Sequence, residues 1–183
     1  SAKIDGIVAK LKDSSVTGYN PTIKDEHGNT LDPVASIGED KYFTLKDAVD
    51  IVPSQGTVKL LANLTLTETT VMDKEKTYTL DLAGYDLTGN GRAAIQVAGG
   101  NVTIENSGSA KKKITTTAST AAILLGSNDG NNRNTLLTIG EKVCVDGGST
   151  AAGILLQGKA TRETLNVQGQ VSATGHSAIV TGD

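Results

Sequence analysis

Few side chains in this 183-residue chain stand where chemistry would need them. The densest group of oxygen ligands is Ser127-Asn128-Asp129-Gly130-Asn131-Asn132, in which Asn128, Asp129 and Asn131 could wrap a calcium ion. The segment lacks the spacing and terminal Glu of an EF-hand loop, and a turn rich in Asn and Gly between two strands is the plainer reading. Acid–base hydrolysis needs two carboxyl groups held close together. The acids here are scattered: Asp81 and Asp86 fall on different predicted strands, as do Glu105 and Asp146. Cys144 is the only cysteine, so it can form neither an internal disulfide nor a CxxC metal site. Alternation with Val143 and Val145 turns Cys144 outward, but no histidine lies near it in sequence to activate it. His27 and His176 read as turn residues, and no catalytic residue is assigned.

Composition narrows the classes further. With a net charge of −3 the chain offers no basic field for nucleic acid, and the one basic run, Lys111-Lys112-Lys113, reads as a solvated loop. No apolar run approaches the length that spans a bilayer. Tryptophan is absent, phenylalanine occurs once and glycine 21 times, so a core must be filled by Ile, Leu, Val and Ala. Such a core suits a thin stacked interior better than a wide globule.

The elements that would position any site come from a recurring phrase. Ala94-Ile95-Gln96-Val97, Ala122-Ile123-Leu124-Leu125, Gly153-Ile154-Leu155-Leu156 and Ser177-Ala178-Ile179-Val180 place isoleucine at steps of 28, 31 and 25 residues. Self-similarity on that scale marks units that bury their apolar sides against one another. Between successive phrases lie two further alternating strands, such as Asn101-Val102-Thr103-Ile104 and Lys113-Ile114-Thr115-Thr116. Three strands per unit predict an all-β, parallel β-helix rather than a sandwich or propeller.

Ahead of the array the period is 3.6 rather than 2. Ile4, Ile7, Val8 and Leu11 have the spacing of an amphipathic helix over residues 3–12. Thr22-Ile23-Lys24 and Thr30-Leu31 read as a hairpin turning at His27-Gly28-Asn29. A capping helix is predicted over about 44–52, started by Thr44 with Asp47 three residues on and stopped by Pro53. The expected layout is an extension or linker over 1–33, the tail of a preceding domain, and a β-helix over 34–183 cut within a repeat at its C-terminal end.

Tyr42-Phe43-Thr44-Leu45-Lys46-Asp47-Ala48-Val49, Gly56-Thr57-Val58-Lys59-Leu60-Leu61 and Thr79-Leu80-Asp81-Leu82-Ala83-Gly84-Tyr85-Asp86-Leu87-Thr88-Gly89-Asn90-Gly91 resemble the cap and first coils of pectin-lyase-like right-handed β-helix modules. These modules belong to secreted and surface-anchored bacterial proteins, so the resemblance implies an extracellular setting, though it specifies no chemistry. Polysaccharide lyases of this fold are expected to keep acidic calcium ligands and a basic residue on an exposed sheet. The outward positions of the recurring strand are Gln96, Leu124, Leu155 and Val180, with neither acid nor base among them. Gly175-His176-Ser177 is similar to the Gly-His-Gly of polygalacturonases, without the paired aspartates and Arg-x-Lys that should accompany it.

Stacked at ~4.8 Å per coil, those four residues would form an apolar ribbon, and such ribbons are usually covered. Either the 3–12 segment folds back over it or a partner does, unless the inward and outward registers are exchanged at Leu124-Leu125 and Leu155-Leu156. Asp81, Thr103, Thr138 and Asn166 are expected on a second outward row, facing water, and Thr115 and Ser172 on a third. The functional expectation is a non-catalytic structural or adhesive module of a larger surface or secreted protein. The alternative is a carbohydrate-active enzyme or glycan-binding domain whose working residues lie elsewhere. No cofactor is expected beyond the calcium candidate, and the expected partners are neighbouring domains, a surface partner or a glycan.

Overall fold

The computed structural model describes residues 23–24, 27–129, 133–158 and 162–182, so the amphipathic 3–12 segment lies outside the described residues. Strands β1 (Ile23–Lys24) and β2 (Thr30–Leu31) pair antiparallel across the His27-Gly28-Asn29 turn, as the sequence predicts. A second hairpin, β3 (Ala35–Ile37) with β4 (Asp40–Tyr42), has no counterpart in the sequence reading. The capping helix α1 (Leu45–Ile51) begins where Thr44 Oγ1 accepts the Asp47 N–H at 3.0 Å. It buries Leu45, Ala48 and Val49 against the array.

Among the described residues the array consists of fifteen strands. The first coils contain β5 (Thr57–Leu60), β6 (Leu64–Leu66), β7 (Thr70–Met72), β8 (Thr77–Asp81), β9 (Leu87–Gly89) and β10 (Ile95–Val97). Next come β11 (Gly100–Glu105), β12 (Lys112–Thr116), β13 (Ala121–Leu125), β14 (Asn134–Ile139), β15 (Val143–Asp146) and β16 (Ala152–Leu156). β17 (Arg162–Val167), β18 (Gln170–Ser172) and β19 (Ile179–Thr181) follow. Every third strand stacks, giving a first sheet β5-β8-β11-β14-β17, a second β6-β9-β12-β15-β18 and a third β7-β10-β13-β16-β19. All pairings within these stacks are parallel, and β3 adds antiparallel to β5 at the capped end. The described residues therefore form an all-β parallel solenoid with one short helix.

Parallel, in-register stacking turns each strand position into a ladder of like residues. Ile95, Ile123 and Ile154 stand on one another and are fully buried, as are Ile104 with Ile139 and Ile114 with Val145. Each such side chain removed from water contributes roughly 1.5–3 kcal/mol. At the corner before the third sheet the ladder narrows to Ala94, Ala122 and Gly153. A Cβ at Gly153 would lie 2.6 Å from Val171 Cγ1, so a side chain at this rung would have to displace that methyl group. At the β17–β19 end the inward ladder opens: Leu165 and Val171 are half-buried, and Val167 and Ile179 are 39% and 44% exposed.

Two expectations are corrected and one is refined. Asp81 is not in the row of Thr103: Thr79 pairs there, and Asp81, at the end of β8, is only 1% exposed. Its Oδ1 accepts the Ala83 and Ser107 N–H groups, both at 2.8 Å, because the chain turns sharply at the end of β8 and brings those donors inward. Cys144 keeps the outward side that alternation with Val143 and Val145 predicts, but its neighbours cover it, leaving it 6% exposed. It sits in a column between Lys113 and Gln170, with Sγ 3.8 Å from Ser172 Oγ. The lysine run is not a loop throughout, since Lys112 and Lys113 belong to β12 and pair with Asp86 and Asp146 at 3.8 and 3.4 Å.

Candidate functional site

The outer column of the third sheet is built by register alone. Val71 pairs with Gln96, Gln96 with Leu124, Leu124 with Leu155 and Leu155 with Val180. Ile123 and Ile154, the isoleucines beside Leu124 and Leu155, are fully buried, so the outward reading of Leu124 and Leu155 stands and the exchanged register does not. Gln96, Leu124, Leu155 and Val180 are each half-buried, and Val71 is 40% exposed. The result is an aliphatic ladder of ~4.8 Å rise, interrupted by one amide. That amide is tied down: Gln96 Nε2 donates to Gly126 O at 2.9 Å and to Gln157 Oε1 at 3.0 Å. The column carries no ionisable group, so it can offer apolar surface and one fixed amide but no acid, base or nucleophile.

Beside it, the loop proposed for calcium is organised by a protein cation. Arg133 Nη1 lies 3.1 Å from Asp129 Oδ2 and 3.3 Å from Ala98 O, which places the guanidinium over the edge of the third sheet. The Asp129 N–H donates to Ser127 Oγ, Asn128 is exposed, and Asn131 lies outside the described residues. Among the described residues, no three His, Cys, Asp or Glu side chains gather as a metal would need. His176 sits exposed in its turn.

Comparison with family models, curated proteins and solved structures finds no match. The remaining faces must be read from their own geometry. On the first sheet, Thr57, Thr79, Thr103, Thr138 and Asn166 form an outward polar rank. Where β8, β11, β14 and β17 begin, a groove of about 670 Å³ is lined by Lys76, Asn101, Asn134, Arg162 and Thr164. Lys76 Nζ is not loose there, since it donates to Val52 O and lies 5.9 Å from the Tyr78 ring centroid. On the second sheet, Asp146 is held below the ordinary carboxylate range. The cause is first the N–H of Gly148, at 3.0 Å, and then Lys113.

Sequence reasoning found four of the five ladder residues and missed Val71. Thr70 occupies the place of Ile95, so the recurring phrase is not recognisable there. The groove was invisible for a different reason: its lining comes from four coils, and only strand register brings them together.

Proposed function

We propose that this chain is a non-catalytic structural or adhesive β-solenoid module of a larger secreted or surface-attached bacterial protein, using the outer column of the third sheet as its contact face. The observation that supports this most is the half-exposed aliphatic ladder Val71, Leu124, Leu155 and Val180 on a regular, in-register face. Stacked apolar groups without charge suit association with another apolar surface and are unsuited to proton transfer. The pectin-lyase-like resemblance of residues 42–61 and 79–91 agrees with an extracellular setting. The scattered acids, several already engaged by backbone N–H groups or lysines, also favour a scaffold.

A second reading, a glycan-binding or carbohydrate-active domain, is favoured by the groove of Asn101, Asn134 and Arg162, whose amides and guanidinium could hydrogen-bond a linear polymer laid across the coils. One experiment separates the two. Pectins and host glycans are incubated with the protein, with and without calcium, while the Leu124→Lys/Leu155→Lys and Arg162→Ala variants are compared for glycan retention and for binding of an apolar dye. The contact-face reading expects no cleavage and a loss of dye binding in the double lysine variant alone. Release of reducing ends, or glycan binding lost with Arg162, would establish the second.

A further inference from the structure

The two ends of the solenoid are finished differently. At one end β3 adds antiparallel to β5 and α1 packs against β5 and β7, so Val58 and Leu60 of β5 are buried. At the other, β17, β18 and β19 are the outermost strands of the three sheets, and among the described residues no strand pairs beyond them. Four inward ladders lose their cover there in one step. Leu137, Ile139, Val145 and Ile154 are fully buried, but of the residues stacked on them Leu165 and Val171 are half-buried and Val167 and Ile179 are exposed. Open strand edges are commonly defended by lysine or proline. Between 162 and 182 neither occurs, and Arg162 and Glu163 are the only charged side chains. Glu163, at an inward position, is already engaged, since its Oε1 accepts the Gly158 N–H at 2.9 Å.

We propose that this end is covered by the same end of a second copy, in a two-fold dimer whose sheets run on from one copy into the other. Symmetry selects the pairing. A two-fold axis through the middle of β17 sets that six-residue strand antiparallel to itself, and it leaves through the corner that joins β18 to β19, where the second and third sheets approach each other. The axis therefore brings β18 of each copy to β19 of its partner, and both are strands of three residues. Because a two-fold reverses the chain direction, all three pairings are antiparallel, as β3 already is where it ends the first sheet at the capped end. With Leu165 opposite its own mate, Glu163 falls opposite Val167 and Arg162 opposite Gln168, so no like charges meet. With Gly175 of the corner on the axis, inward Val171 falls opposite inward Ile179 and outward Gln170 opposite outward Val180. The size fits as well. The coil from Arg162 to Thr181 presents twenty residues, and a standard interface uses about 20–30 residues a side. This end is separate from the third-sheet column, so the two readings stand or fall independently.

The test uses the full chain. Sedimentation is expected to show a monomer–dimer equilibrium. Val167→Lys/Ile179→Lys, which puts like charges on the open rung, is expected to raise its Kd about tenfold or more. Both side chains are already partly exposed, and an unchanged circular dichroism spectrum shows that the coils beneath are intact. Leu124→Lys/Leu155→Lys on the third sheet is expected to leave the Kd unchanged. On a Cys144→Ser background, Leu165→Cys is expected to form a disulfide with its own mate under mild air oxidation. Gln170→Cys and Val180→Cys are each expected to stay reduced alone and to cross-link when the two variants are mixed. A monomer at every concentration would overturn the proposal, as would a dimer dissolved by the Leu124 and Leu155 substitutions instead. Open-ended polymers would mean head-to-tail stacking, and Val180→Cys cross-linking to itself would mean a different axis; either result would also overturn it.

Discussion

Gln96 and Gln157, 61 residues apart, meet at 3.0 Å across the outer face of the third sheet. The bond spans the intervening coil, and the same Nε2 also holds Gly126 O, so this amide is fixed at both of its donors. It is the only polar side chain in a column that otherwise reads Val71, Leu124, Leu155 and Val180. Gln96→Leu would make the ladder continuous. The expected outcome is stronger binding of an apolar dye and greater self-association by light scattering. The thermal midpoint should change by only a few degrees, since one half-exposed hydrogen-bond pair is worth about 1 kcal/mol.

The corners of the coils should rank glycines by what a methyl group would strike. At Gly153 the one overlap under 3.0 Å is the tip of Val171, half-buried near the open end, with carbonyls no nearer than 3.0 Å, whereas at Gly147 the overlap is backbone, with Ala151 O only 2.1 Å away. A side-chain tip can rotate or shift, but a backbone carbonyl in a stacked coil cannot. Gly153→Ala is expected to cost about 1 kcal/mol and Gly147→Ala about 3 kcal/mol or more, read as shifts in the urea midpoint. Equal losses at the two positions would contradict the corner geometry.

How much of this was legible beforehand follows from which residues repeat. Ile95, Ile123, Ile154 and Ile179 occupy one ladder position, so their spacing in sequence discloses the coil, and Thr44 with Asp47 discloses the cap. β7 stayed hidden because Thr70 replaces the isoleucine, although its N–H still pairs with Ala94 O. Asp81 was misplaced because strict alternation cannot anticipate a turn that swings a carboxylate under the N–H groups of Ala83 and Ser107. The groove on the first sheet escaped notice since its walls come from four coils, whose register exists only in the folded chain. The fold is written in local periodicity, whereas a surface across coils is written in long-range pairing.

Acid should weaken the second sheet in a defined direction. The Gly148 N–H and then Lys113 favour the ionised form of Asp146 and lower its pKa from the ordinary 3.8. A depressed carboxylate contributes stability that is complete above its unfolded pKa and is lost as pH falls through the lowered, folded one. Lys113 is largely solvated, which keeps the contribution below about 1 kcal/mol. Asp146→Asn should therefore be slightly less stable than the parent at neutral pH, with the gap closing in strong acid. Denaturation midpoints measured across that range check it, and a gap that widened in acid would reverse the sign.

Tyr78 presents the opposite case, a buried polar group without a return. Its side chain is 1% exposed and its hydroxyl has no hydrogen-bond partner among the described residues, and burial accordingly pushes its pKa well above the ordinary tyrosine value. The ring, by contrast, is well used: it fills the core opposite Val102, with Lys76 Nζ 5.9 Å from its centroid. Tyr78→Phe keeps the ring and its cation while deleting the stranded hydroxyl. Leaving such a group dry costs about 1–3 kcal/mol, so the variant is expected to be more stable than the parent by about 1 kcal/mol, a rise of roughly 2–4 °C in Tm. Tyr78→Ala should instead lose about 3–5 kcal/mol by opening a cavity in the core. If Tyr78→Phe were destabilising, the hydroxyl would have to be hydrogen-bonded in solution, and the local packing around β8 would need to be redrawn.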